Sequence, residues 1–130
     1  MKSGYSRRIH EKPYVVGIPI PSLDRRGKRL GKSRIRKWVR LAQEELTRCF
    51  GGASAIPAPG ANIVGGKILY EKDQVLVLAG CESPDEFYSK VEHVRGFVER
   101  MGGAFEQESV FVLAYPSDSF LIEFRSGRQD

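Results

Sequence analysis

Two segments with helical periodicity, separated by short β-branched stretches, constrain the fold of this chain more than any other feature. The first carries one apolar stripe at spacings of three and four residues: Ile35, Trp38, Val39, Ala42, Leu46 and Cys49. The second carries another: Phe87, Val91, Val94, Val98 and Met101. Each stripe predicts a helix with one buried face, so both helices need an apolar surface to cover.

The ends of both helices are marked by capping residues. Ser83 and Glu86 have the spacing of a capping box, and the proline between them fits the first turn of a helix. Ser33 is the expected N-cap of the first helix. The pairs Gly51-Gly52 and Gly102-Gly103 supply the residue type that ends helices in a left-handed turn, and we expect the two helices to stop there.

Five short stretches are typical of β-strands because they are rich in β-branched and aliphatic residues: YVVGIPI, KILYE, QVLVLAG, SVFVLAY and SFLIEF. KILYE and QVLVLAG, on either side of Lys72-Asp73, predict a β-hairpin, and the segment 116–118 predicts a turn between the last two strands. Residues 51–66 form a connection with a short extended piece near 54–56. The order β-α-β-β-α-β-β predicts an α+β fold of the ferredoxin-like split β-α-β type, with two helices on one face of a mainly antiparallel sheet.

A length of 130 residues and a hydrophobic content of 41% predict one folded domain, over residues 13–125. Residues 1–12 are polar and lack periodicity, so we expect a flexible basic tail there, and a flexible C-terminal tail over 126–130. No apolar run reaches the roughly 18–20 residues of a membrane span, so we expect no membrane contact and a cytoplasmic location. Cys49 and Cys81 lack the spacing of a zinc site or a disulfide framework, and no metal or cofactor is expected.

The positive charge is concentrated in the first part of the chain. Residues 1–48 contain 14 Lys and Arg against 4 Asp and Glu, whereas residues 49–130 contain 7 against 12. This asymmetry favours a non-enzymatic binding or assembly module whose basic part contacts an anionic partner, either nucleic acid or an acidic protein surface. The candidate binding residues are Arg7, Arg8, Arg25, Arg26, Lys28, Arg29, Lys32, Arg34, Lys37 and Arg40.

Apolar residues occur on both faces of QVLVLAG and SVFVLAY, whereas two helices cover only one face of a sheet. The second face is then left without a covering layer in a single copy of the chain. We therefore expect a homodimer that buries this uncovered sheet face.

The segment Gly27–Ser33 resembles a phosphate-binding loop, but its glycines are separated by three residues where the Walker pattern needs four. Nucleotide hydrolysis is therefore not expected. The alternative to a binding module is a small metal-dependent nuclease or hydrolase with paired carboxylates. Its candidate residues are Glu71 and Glu108, with Gln107, if the hairpin topology brings them together.

Several landmarks between residues 50 and 124 resemble an uncharacterised bacterial domain-of-unknown-function family. They are the Phe50–Ser54 segment FGGAS, Glu71 ahead of an apolar strand, and the Gln107–Val110 segment QESV, followed by a β-rich end at Phe124. The resemblance implies a ferredoxin-like fold and brings no established activity. It makes Glu71, Gln107 and Glu108 the first polar positions to test.

Overall fold

The computed structural model describes residues 5–107, 110 and 112–126. Two helices and six strands follow one another along the described chain. They are β1 (Tyr5–Ile20), α1 (Lys32–Phe50), β2 (Ser54–Pro57), β3 (Gly60–Val64), β4 (Lys67–Glu71), β5 (Val75–Cys81), α2 (Pro84–Ala104) and β6 (Leu113–Ser126).

Four of the strands form an antiparallel sheet in the order β2-β5-β1-β6. Strand β1 thus lies between β5 and β6, and β2 is at an edge of the sheet. This is the strand order of a split β-α-β fold, in which each helix connects two strands that are not neighbours. The predicted α+β, ferredoxin-like class is confirmed.

The core lies between the helices and one face of this sheet. Alternate residues of the central strands point toward the helices and are fully or almost fully buried: Val16, Ile18 and Ile20 of β1, and Val77, Ala79 and Cys81 of β5. The helices contribute the residues of their predicted stripes, including Ile35, Ala42 and Leu46 of α1 and Val94 and Met101 of α2. Trp38 packs edge-on against Phe97 and Phe105, which joins the two helices over the sheet.

The helix ends follow the sequence at two places and depart from it at two others. Ser83 caps α2 by accepting a hydrogen bond from the main-chain N–H of Glu86 at 3.1 Å, and Gly51 ends α1 with a φ of 92°. By contrast, α1 begins at Lys32, before the expected N-cap Ser33. Helix α2 continues through both glycines to Ala104. Gly102 is buried, and a Cβ at this position would lie 3.2 Å from the Val110 side chain.

The predicted hairpin between KILYE and QVLVLAG is not formed. Instead, β4 pairs with β3 in a separate two-stranded sheet, whereas β5 pairs with β1 and β2. Gly65 and Gly66, with φ values of 58° and 79°, form the turn between β3 and β4. Two successive positive φ angles are the requirement of the tight turns that close β-hairpins, so this glycine pair determines which strands join. We call the unit 60–71 the β3–β4 hairpin.

The two ends of the chain also differ from the prediction. Residues 5–12, expected in a flexible tail, pair antiparallel with residues 119–126, and β6 is one strand where two strands and a turn were predicted. A register shift between Lys12 and Tyr14, next to the Tyr14–Pro116 pair, is typical of a β-bulge, and β6 continues past the proline. The polar composition of residues 5–12 gave no strand signal, although their partner segment 119–126 contains the predicted strand SFLIEF. Residues 127–130 lie outside the described residues.

Within the described part of the chain, neither helix has the length and apolar character of a membrane span.

Candidate functional site

The segment between β1 and α1, residues 22–30, folds into a small closed turn that we call the basic loop. Leu23 and Arg29 form an isolated antiparallel bridge. The main-chain N–H of Asp24 donates to the Lys28 carbonyl at 2.8 Å, and that of Gly27 donates to the Asp24 carbonyl at 2.9 Å. Gly27 adopts a φ of 81°, which favours glycine. The loop therefore presents its cations from a fixed backbone.

The carboxylate of Asp24 occupies the inside of the basic loop. Its Oδ1 accepts hydrogen bonds from the main-chain N–H groups of Arg26 at 2.8 Å and Lys28 at 2.9 Å. The hydrogen bond from Lys28 is the main cause that lowers the pKa of Asp24 below its ordinary value. In a phosphate-binding loop such N–H groups would face the ligand. Here an internal carboxylate uses them, so anion contact at this loop depends on its side chains.

Glu71, a candidate for the paired-carboxylate site, holds the basic loop against the β3–β4 hairpin. Its side chain is 4% exposed. Its Oε1 accepts the main-chain N–H groups of Ser22 at 2.9 Å and Leu23 at 3.1 Å, and the Ser22 hydroxyl is at 3.5 Å. The amide of Asn62 donates to its Oε2. Both carboxylate oxygens of Glu71 are therefore hydrogen-bonded within the protein.

Gln107, a second candidate from the sequence, holds the same loop from the other side. Its Nε2 donates to the carbonyl of Leu23 at 2.7 Å and to that of Phe105 at 3.2 Å. Leu23 is thus fixed through its N–H by Glu71 and through its carbonyl by Gln107. The third candidate, Glu108, lies outside the described residues. In the rest of the chain that the structure describes, no three His, Cys, Asp or Glu side chains are grouped to hold a metal.

A cleft of about 300 Å³ lies between the basic loop and the β3–β4 hairpin, with the turn after β4 at its side. Its lining residues are Ser22, Leu23, Gly27 and Arg29 from the loop, and Leu69, Tyr70, Lys72 and Asp73 from the hairpin and turn. Arg29 and Asp73 form an ion pair across it, with Nη2 and Oδ2 3.5 Å apart. The cleft thus combines an apolar wall with charges of both signs.

The candidate cations of the sequence divide into three groups. The first is exposed and lies on the loop and the outer part of α1: Arg25, Arg26, Lys28, Arg29, Lys32, Lys37 and Arg40. Arg34 is also exposed but has a structural role, because its guanidinium donates to the Ala104 carbonyl and lies 5.3 Å from the centre of the Phe105 ring. Arg7 and Arg8 form the third group, in the part of β1 that pairs with β6, opposite Phe124 and Glu123.

The sheet face opposite the helices is apolar. Pairing register places Val15, Gly17 and Pro19 of β1 beside Gly80, Leu78 and Leu76 of β5 on this face. At its margins Ile56 of β2 and Tyr115 of β6 are 42% and 43% exposed. No described helix or strand covers it, as expected from the apolar residues on both faces of these strands.

Three parts of this site were not predicted from the sequence: Asp24, Asn62 and the β3–β4 hairpin itself. Signals for two of them were present. The segment Asp24–Gly27 is a common turn composition, in which the aspartate side chain accepts main-chain N–H groups. Gly65-Gly66 between apolar residues is typical of a tight hairpin turn. Nothing in its own segment marks Asn62, because its partner Glu71 lies on the neighbouring strand of the hairpin.

Comparison with known proteins gives structural matches alone: no family model matches the sequence, and no curated protein matches it. The resemblance of residues 50–124 to a bacterial family therefore stays a prediction. A phage SAM lyase in complex with S-methyl-5'-thioadenosine matches with a TM-score of 0.60 and 15% identity, over 92% of this chain and 94% of that chain. The apo form of a phage SAM lyase matches at 0.56 and 16%, over 91% and 92%.

A third solved structure, the divalent cation tolerance protein Cut A1 from Thermus thermophilus, has a TM-score of 0.47 and 16% identity, over 82% of this chain and 84% of that chain. The two lyase structures are 15% and 16% identical to this chain, and at such low identity their likeness shows a shared fold and nothing more. It extends over nearly the whole length of both chains.

Proposed function

We propose that this protein is a binding module whose basic loop and outer α1 surface contact nucleic acid. The observation that carries the proposal is the placement of seven candidate cations, all exposed, on a loop and a helix that follow each other directly. The loop alone places four cations, Arg25, Arg26, Lys28 and Arg29, within five residues. Closely spaced, exposed cations suit the regular negative charge of a phosphate backbone.

The rigidity of the basic loop supports this function. Glu71 and Gln107 hold Leu23, and Asp24 closes the turn from inside. A loop that is ordered before binding loses less conformational entropy when a partner arrives, so more of the electrostatic attraction appears as affinity. An acidic protein surface is the competing partner, and it lacks the regular charge spacing of a polynucleotide.

Charge reversal tests the proposal. We expect a variant with Lys28, Lys37 and Arg40 all changed to glutamate to lose binding of fluorescein-labelled oligo(dT) at low salt, measured by fluorescence anisotropy. Arg34 is left unchanged because its contacts with the end of α2 are structural. The matched control reverses Lys67, Lys90 and Arg95, of which the first lies on the hairpin and the other two on α2.

If the triple variant still binds oligo(dT), the binding site is not on this surface. If the control loses as much binding as the triple variant, the effect comes from net charge and not from these residues. Circular dichroism on both variants checks that they are folded.

Our proposal includes a homodimer formed through the uncovered sheet face. Ile56, Leu76 and Tyr115 lie on this face, and burying apolar surface is the main source of stability in such interfaces. Changing Leu76 to aspartate places a charge on this face, and sedimentation velocity should then show a monomer. As a control, Ile68 of the β3–β4 hairpin, which is 60% exposed, receives the same change and leaves the dimer intact. A wild-type monomer at high concentration would contradict this part.

We also infer a cytoplasmic location. Support comes from Cys49 and Cys81, which are free thiols, as is usual for cysteines in a reducing compartment. The metal-dependent nuclease of the sequence analysis stays a prediction, because Glu108 lies outside the described residues.

A second candidate function is binding of an adenosine-type small molecule in the cleft. A volume of about 300 Å³ is at the lower end of ligand pockets and suits a nucleoside-sized molecule. Leu23 and Leu69 provide an apolar wall, and Ser22, Arg29 and Asp73 provide polar groups. The phage SAM lyase that shares this fold was solved with S-methyl-5'-thioadenosine. That ligand class is the one to test first.

Calorimetric titration with S-methyl-5'-thioadenosine tests the second candidate. Binding should weaken in a Leu69→Ala variant, which removes part of the cleft wall. The control Ile68→Ala changes the adjacent residue, which points to the other face of the hairpin. Incubation with SAM, followed by chromatography, shows whether binding is accompanied by turnover. No heat of binding, or equal losses in both variants, would exclude the cleft as this site.

A further inference from the structure

Arg29 differs from the other cations of the basic loop in its position. Of Arg25, Arg26, Lys28 and Arg29, it is the one that lines the cleft. Its backbone is fixed by the bridge with Leu23, and the next N–H, that of Leu30, donates to the Ser22 carbonyl at 2.9 Å. The Arg29 guanidinium therefore lies at the cleft, and the backbone that carries it is fixed.

The partner of Arg29 in this position is a weakly held carboxylate. The Nη2–Oδ2 distance to Asp73 is 3.5 Å, whereas charge-assisted hydrogen bonds measure about 2.7–2.9 Å. The side chains of Arg29 and Asp73 are 77% and 47% exposed, so water screens the pair and it contributes little to stability. A planar guanidinium binds a phosphate or carboxylate through two parallel hydrogen bonds when one is presented in its plane. Such an anion would make better contacts with Arg29 than Asp73 does.

We propose that Arg29 is the anion-recognising group of the cleft and that Asp73 is its internal competitor, which a phosphate group of the bound nucleic acid displaces. The inference rests on the proposed nucleic-acid function and identifies where one phosphate binds.

The exchange leaves the loop intact. Its frame depends on the separate contacts of Asp24 with Arg26 and Lys28 and of Glu71 with Ser22 and Leu23. The cost of binding at Arg29 is thus the loss of one long, exposed ion pair.

A double-mutant cycle tests the competition. Asp73→Asn removes the competing charge, and we expect it to tighten oligo(dT) binding by about two- to fivefold, the range of an exposed ion pair. Glu99→Gln on α2 makes the same change in net charge at an exposed position and serves as the control. In a protein that already carries Arg29→Gln, Asp73→Asn should increase the affinity for oligo(dT) by no more than the Glu99→Gln control does.

Two results would overturn the inference from this cycle. One is a gain from Asp73→Asn that does not exceed the control. The other is a gain that persists without Arg29, because it would then arise from the general field of the protein.

A second readout separates this inference from the proposed function. NMR of the Arg29 Nε–H group during titration with inorganic phosphate should show a shift at lower phosphate concentration in Asp73→Asn than in the wild type. No shift in either protein overturns the role of Arg29, even if oligo(dT) binds. A shift without any oligo(dT) binding refutes the nucleic-acid function and retains an anion site in the cleft.

Discussion

Removing the Glu71 carboxylate should destabilise the protein far more than removal of an exposed glutamate. Glu71→Ala takes the acceptor away from the main-chain N–H groups of Ser22 and Leu23 and from the Asn62 amide. The Glu71 side chain is 4% exposed, so water does not readily take the place of its carboxylate as the acceptor for these N–H groups. This substitution therefore tests whether the hydrogen bonds to Glu71 hold the basic loop.

The size of the effect follows from these contacts. A hydrogen bond to a charged group contributes about 1.5–3 kcal/mol, and a buried donor left without a partner costs about 1–3 kcal/mol. Asn62 is exposed and recovers a bond to water, so two main-chain donors dominate. We expect Glu71→Ala to lower the free energy of unfolding by about 2–4 kcal/mol, and Tm by about 8–15 °C. Glu71→Gln keeps one carbonyl oxygen as an acceptor for Ser22 and Leu23, and should cost about 1 kcal/mol.

Urea unfolding, followed by circular dichroism, measures these differences, and Glu99→Ala on the exposed face of α2 is the matched control. Hydrogen exchange adds local information, since the amides of Ser22 and Leu23 should exchange faster in Glu71→Ala. If that variant is as stable as the control and both amides keep their protection, the loop is held in another way and the reasoning is wrong.

Three further outcomes are expected. Ser83→Ala removes the N-cap of α2 and should lower the free energy of unfolding by about 1 kcal/mol in urea, with Ser89→Ala as a control outside the cap. Gly27→Ala places a Cβ 2.7 Å from Leu69 at a φ of 81°, so thermal unfolding should show a loss of about 1–2 kcal/mol; an unchanged Tm would show that the loop adapts. The pKa of Asp24 is lowered in the folded protein, chiefly by the hydrogen bond from Lys28. The contribution of Asp24 to loop order is therefore present above its ordinary pKa and is lost as pH falls through the lowered value. The protection factor of the Lys28 amide, which is corrected for the intrinsic pH dependence of exchange, should fall in acid, and this fall should be absent in Asp24→Asn.

The main layers of the fold could be predicted because they depend on local patterns. The stripe that includes Ile35, Ala42 and Leu46 reports directly which side of α1 is buried, and Ser83 marks the start of α2. Strands with apolar residues on both faces also indicated an uncovered sheet face. Each of these features is contained within a few successive residues, where helix and strand periodicity act.

Strand pairing and the site could be predicted only in part, because they depend on contacts between distant segments. β4 has the composition of a partner for β5, yet the turn at Gly65-Gly66 joins it to β3. Glu71 and Gln107 were identified from the sequence only as polar positions to test. Their shared partner, the main chain of Leu23, carries no side-chain signal for such a role. Main-chain N–H and C=O groups are chemically the same at nearly every residue, so the sequence does not indicate which side chains will bind them.

The salt dependence of oligo(dT) binding tests most directly whether the basic loop and α1 contact a phosphate backbone. The logarithm of the association constant should fall linearly with the logarithm of the salt concentration, by about 0.7 for each phosphate contact on a single strand. Neutralising Lys28, Lys37 and Arg40 by substitution with glutamine should then reduce the slope by about 2, if each contacts one phosphate. A wild-type affinity that does not change with salt, or a slope unaffected by the three neutral substitutions, would contradict the account.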